Sequence, residues 1–203
     1  MTKRIFLGTL IGSIVVMIVG TVVHAVPPRR VIGVKTIPQE DTVLSAMRAA
    51  IHEPGFYIFP ALNMTPGRTK QEVQSDTDTY LAKYRQGPTG ILVYDLGGKR
   101  LNFGKLLGAE FVVDFVSAFL AACILALSAG GLLSYWRRVS VVTLTGLFAG
   151  VFLGFEYWNW SNFPAYYTVV YVVIVSLDWF FAGLAMAAIV KCSPSMRDTQ
   201  GAE

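Results

Sequence analysis

Glu110, Asp114 and His24 are the first residues whose types and positions suggest chemistry. The two carboxyls stand one helical turn apart at the start of one long apolar run, and the imidazole lies near the end of another. Brought together, one carboxylate could hold the imidazole charged, or all three could bind a cation. Three such ligands suit zinc or another divalent ion. The chain, however, has no His-Glu-x-x-His or Glu-x-x-His spacing, so neither a metal nor a cofactor is expected. The plainer reading, which the sequence favours, leaves Glu110 at a membrane interface and hydrogen-bonds His24 to a neighbouring helix. Only Asp114 lies deep enough in its run to be strongly desolvated.

Asp178 is a fourth candidate, about halfway along the last apolar run with no Lys or Arg at matching depth. An ionisable residue inside a membrane is a functional hypothesis by default. Here the choices are a proton-relay carboxylate, a cation site, or a neutral acid donating a hydrogen bond to a backbone carbonyl. The structural role is favoured, because a relay needs further titratable groups and only Asp114 is near.

The elements that must position these residues are four apolar runs. Crossing a bilayer takes about 20 residues at the helical rise. The runs extend from about Ile5 to Val26, Leu106 to Leu133, Val139 to Phe155 and Tyr166 to Val190, the third being the shortest. Composition agrees. The chain of 203 residues is 54% hydrophobic and 15% charged, with a mean hydropathy of +0.52. That excludes a disordered chain and argues against an ordinary soluble enzyme. Two cysteines exclude a disulfide scaffold. The net charge of +4 is better explained by membrane topology and headgroup contact than by nucleic acid.

Lys3 and Arg4, Arg137 and Arg138, and Lys191 with Arg197 flank the spans on one side if there are four of them. The turn at 156–165 has no Lys or Arg but holds Trp158 and Trp160, an interfacial pattern. Both termini are therefore expected in the cytoplasm and residues 27–105 outside. Val23-His24-Ala25 also resembles a signal-peptidase site, but an apolar run of about 19 residues exceeds the usual hydrophobic region of a signal peptide. The first span is expected to be retained.

Residues 27–105 hold eleven Lys/Arg and seven Asp/Glu, the whole basic surplus of the chain. Val43, Leu44, Met47 and Ile51 recur at helical spacing after Glu40 and Asp41, and Pro54-Gly55 is expected to end that helix. Phe56 to Phe59 and Ile91 to Tyr94 suggest two strands, with a second helix from about Gln71 to Arg85 between them. Arg29 and Arg30 at one end, and Lys99, Arg100 and Lys105 at the other, would meet anionic headgroups. The simpler reading is of solvated charges flanking spans. A lobe of this size has a thin core and is expected to rest on the membrane or on a partner. Two glycosylation sequons, at Asn63 and Asn159, are short enough to arise by chance.

Gly146, Gly150 and Gly154 form two overlapping Gly-x-x-x-Gly units on the third span, and Gly8 and Gly12 form another on the first. Small residues let helix backbones approach where lipid supplies no hydrophobic drive. On the second span Glu110, Asp114, Ser117 and Ala121 share one face, as do Asp178, Ala182 and Ala185 on the fourth. Glu156, about 200° from Gly154, points away from the glycine seam.

The chain has no P-loop, no dinucleotide fingerprint, no nucleophile elbow and no Cys-x-x-Cys. Leu44, Ala49-Ala50-Ile51, Glu53-Pro54-Gly55, Phe56 to Pro60, Gly87-Pro88-x-Gly90 and Leu92-Val93-Tyr94 resemble a group of uncharacterised bacterial membrane proteins. That resemblance implies a bacterial inner membrane and a four-span plan, with no activity to carry over.

The expected architecture is an all-α bundle of four transmembrane helices with a small α+β extracytoplasmic insert between helices 1 and 2. Residues 1–26 form the first helix, 27–105 the lobe, 106–190 the other three helices and 191–203 a cytoplasmic tail. The expected function is non-catalytic: a structural, accessory or assembly subunit presenting the lobe to a protein partner or a second copy. The alternative is a small proton- or cation-coupled transporter using Asp178 and Asp114, although no inverted repeat or pair of broken helices supports one.

Overall fold

The computed structural model describes residues 2–26, 29–98, 100–128 and 134–190, without the side chains of Arg29 and Arg30. Four helices are long and apolar enough to cross a membrane: α1 (Thr2–Ala25), α4 (Phe103–Ser128), α5 (Tyr135–Ser161) and α6 (Ala165–Ile189). Between α1 and α4 come α2 (Glu40–Ala50), β1 (Gly55–Phe59), α3 (Lys70–Gln86) and β2 (Gly90–Tyr94). The chain divides into two compact units, one of residues 1–35, 101–156 and 164–203, the other of residues 36–100 and 157–163.

In the first unit the glycines set the helix contacts. Gly8 and Gly12 of α1 face Val190 and Met186, beyond and within α6. Gly146, Gly150 and Gly154 of α5 face Trp179, Val175 and Val172 of α6. In both pairs the residue numbers run in opposite directions, so α6 is antiparallel to α1 and to α5. The seams are thus closed within the chain. Gly12 also comes near Ala118 of α4. Val16, Ala121, Ala122, Leu125, Val142, Ala182, Met186 and Val190 form the buried core between the four helices. Gly183, unremarked at the sequence level, faces the carbonyl of Val139 and the side chain of Val142.

α5 begins four residues before the expected start, and the reason is Arg138. Its charge marks the end of the apolar run, yet the side chain is buried and its Nε donates to the carbonyl oxygen of Ala187 at 3.0 Å. Tyr135 Oη donates to the carbonyl of Leu184 at 2.9 Å. Both act on the last two turns of α6; Ala187 is among the last four residues, whose carbonyls lack intrahelical donors, and a cation there complements the helix dipole. α4 likewise begins at Phe103, with Asn102 Oδ1 accepting from the Lys105 backbone N–H at 3.0 Å as an N-cap. The expected end of that run, residues 129–133, lies outside the described residues, as do Lys191, Cys192 and Arg197.

In the second unit β1 and β2 pair antiparallel, with Gly55 opposite Tyr94 and Phe59 opposite Gly90. α2 stops at Ala50 rather than at Pro54, because Ile51 already takes extended backbone angles. α3 carries a complete capping box. The Glu72 carboxylate accepts from the Thr69 backbone N–H at 2.8 Å, and Thr69 Oγ1 accepts from the Glu72 N–H at 3.3 Å. That first bond, with the Thr69 hydroxyl and Arg68 nearby, holds the Glu72 carboxyl below its usual range. Arg68 also pairs with Asp76. Gly87 closes the helix at a φ of 64°, a left-handed value that a side chain would strain. No described residue of this unit is buried.

Candidate functional site

The candidate ionisable residues of the first unit lie on α1, α4 and α6. On α6, Asp178 is half-buried, and its Oδ1 is enclosed with no hydrogen-bond partner among the described residues. On α4, Asp114 is only 7% exposed, and its Oδ2 is in the same condition. The register set by Gly8 with Val190 and Gly12 with Met186 brings Gly20 level with Asp178 when it is continued turn by turn. His24 folds back along α1 so that its Nδ1 lies 2.8 Å from the Gly20 carbonyl oxygen.

Glu110 is exposed on α4, one turn before the buried Asp114. The His24 hydrogen bond runs to its own helix, not to a neighbour. The hydroxyls nearest the α1 seam are already used, Thr9 donating to Ile5 and Ser13 to Leu10, both at 2.9 Å. They offer the carboxyls nothing. A carboxyl oxygen enclosed without a donor can take a proton or a small cation. Among the described residues no three His, Cys, Asp or Glu side chains are grouped to hold a metal ion.

Thr168, in the first turn of α6, is a third group with an enclosed and unpartnered oxygen, and it is 2% exposed. Sequence reasoning passed over it. The available signal was its position three and four residues before Tyr171 and Val172, on the face that meets Gly154. A groove on α5 and α6, lined by Trp136, Val139, Ser140, Thr143, Leu144 and Phe180, is apolar. Its Ser140 and Thr143 hydroxyls return to the carbonyls of Trp136 and Val139.

Of the basic residues expected at the membrane surface, Arg100 and Lys105 are exposed. The side chains of Arg29 and Arg30, and Lys99 as a whole, lie outside the described residues. Glu156 is exposed while Gly154 is buried, so they face opposite ways. Comparison with known proteins gives no match to a family model, a curated protein or a solved structure. The site must therefore be interpreted from its own chemistry.

Proposed function

We propose that the protein is a non-catalytic structural, accessory or assembly subunit of a bacterial inner membrane, presenting its small lobe to a protein partner. One observation carries the reading. The unit made of residues 36–100 and 157–163 has no buried described residue, so it lacks the core that lets a domain of this size act alone. The bundle, by contrast, closes its glycine seams on its own helices, which suits a stable anchor. Orientation with both termini in the cytoplasm and 27–105 outside is supported by the basic residues. The starts of α1 and α5 and the end of α6 share one end of the bundle, which gathers Lys3, Arg4, Arg137 and Arg138 there. Purification in mild detergent and measurement of the complex mass tests this reading. A stable assembly with a second polypeptide supports it.

A second reading, a small proton- or cation-coupled transporter, is favoured by the enclosed oxygens of Asp114 and Asp178, which have no hydrogen-bond partner among the described residues. Exchanging Asp178 for Asn distinguishes the two. A structural carboxyl tolerates the amide, whereas a titrating one does not.

A further inference from the structure

The antiparallel register sets Phe56 opposite Val93 and Ile58 opposite Ile91. Cross-strand partners and alternate residues of one strand share a face, so these four side chains form one apolar patch. Phe56 is 59% exposed, Ile58 60% and Val93 76%, with Ile91 half-buried. A two-stranded sheet is marginal in water by itself. A contiguous apolar patch on such a sheet marks a surface that something else covers.

Two observations indicate what covers it. The same compact unit contains residues 157–163, the final turn of the membrane-length helix α5 and the residues after it. Trp158 and Trp160 stand there, with Trp160 80% exposed, and tryptophan in that position marks the headgroup level. Asn162 Nδ2 lies 3.5 Å from both Tyr84 Oη and Thr89 Oγ1, which ties that turn to the lobe. The unit thus includes the end of a membrane-length helix. Charge is the second observation. Residues 36–100 hold seven Lys/Arg against seven Asp/Glu, so the lobe itself is neutral. The surplus comes from Arg29, Arg30 and Lys35 after α1 and from Lys105 in the first turn of α4, at the ends of membrane-length helices, where phosphate headgroups would lie.

We propose that the Phe56, Ile58, Ile91 and Val93 face is a bilayer-docking surface, seating the lobe in the headgroup–acyl boundary of the membrane that the helices cross. A neutral lobe needs no acidic protein surface, and an apolar face in a lobe flanked in sequence by cations has the composition of an interfacial element. This goes beyond the accessory role, since it assigns the sheet to lipid and leaves the polar α3 for a partner.

Site-directed spin labelling of the full chain in nanodiscs of phosphatidylcholine and phosphatidylglycerol tests the proposal. The background carries Cys123→Ala and Cys192→Ala, and the label is placed by Val93→Cys or, independently, Phe56→Cys. Phe148→Cys, exposed on a span, serves as the lipid reference and Gln71→Cys on α3 as the aqueous one. The expected result is several-fold higher accessibility to oxygen relative to a water-soluble nickel chelate at 93 and 56 than at 71, approaching the value at 148. Chelate accessibility equal to that at 71 overturns the proposal, because the face is then in water. Protection from both reagents also overturns it: with spin–spin broadening a second copy covers the face, and without it another protein does.

Discussion

A side-chain carbon placed on Gly146 would lie 2.3 Å from both Cβ and Cγ of Trp179. The glycine therefore holds α5 and α6 together at the root of a rigid indole, where nothing flexible can give way.

Gly146→Ala should accordingly cost about 1–3 kcal/mol through overpacking. Gly12→Ala should cost less, because its obstacle is the thioether of Met186, 2.7 Å away at Sδ, and methionine repacks readily. Thermal unfolding in one detergent, with both variants measured side by side, checks the order. Equal and small losses would show that the two helix pairs are not held by these contacts.

Arg138 and Tyr135 should stabilise the end of α6. Arg138→Leu removes a charge-assisted hydrogen bond to Ala187 and should lose about 1.5–3 kcal/mol, and Tyr135→Phe about 0.5–1.5 kcal/mol. Hydrogen exchange of the last turn of α6 should rise in both variants. No change in exchange there would mean that the α6 terminus is held by other contacts.

This clamp shows what the sequence could and could not reveal. Hydropathy located all four spans, because burial in lipid acts on composition alone. It began the third span only after Arg138, because a charge looks like a boundary until its partner on another helix is known. Glycine spacing revealed the seams but not their addressees, since α6 and a second subunit would use the same residues. The Thr69-x-x-Glu72 spacing is itself a capping-box signature visible in the sequence. Depth along separate helices suggested Glu110 with His24 and Asp114. Only the register of α1 on α6 brings Gly20, one turn before His24, level with Asp178.

Acidification should fray the start of α3. The Glu72 carboxyl is held below the usual glutamate range by its Thr69 bonds. Its contribution is complete above the unfolded value and is lost as pH falls through the lower folded one. Glu72→Gln should remove that acid-side dependence, and Thr69→Ala should cost about 1 kcal/mol at neutral pH. Amide exchange in the first turn of α3, followed from pH 6 to pH 3 (about the carboxylate range), checks both statements. A flat profile in the parent chain contradicts them.

Asp178→Asn should keep assembly and thermal stability, because an amide fits where a carboxyl serves a structural role. Asp178→Leu should lose on the order of 1 kcal/mol, as other intramembrane hydrogen-bonding groups do. Size-exclusion profiles and melting curves report assembly, and growth of a strain carrying each variant reports function. A normally assembled Asn variant with complete loss of phenotype would favour the transporter reading instead.

Orientation is checked with reporters that work on one side only. A reporter active outside the cytoplasm should work when inserted at Gly67 and fail when fused after Arg197. Activity at the second position contradicts the four-span arrangement, and a mature N-terminus at Val26 would reduce it to three spans.

The most direct test of the accessory role is the mass of the intact complex released from mild detergent. The chain weighs 22.2 kDa. The account predicts a stable assembly whose mass is not a whole multiple of that value, because a different polypeptide is bound in fixed ratio. A lone chain or a homo-oligomer, its mass a whole multiple of 22.2 kDa and its melting temperature rising with an added ion or substrate, would contradict it.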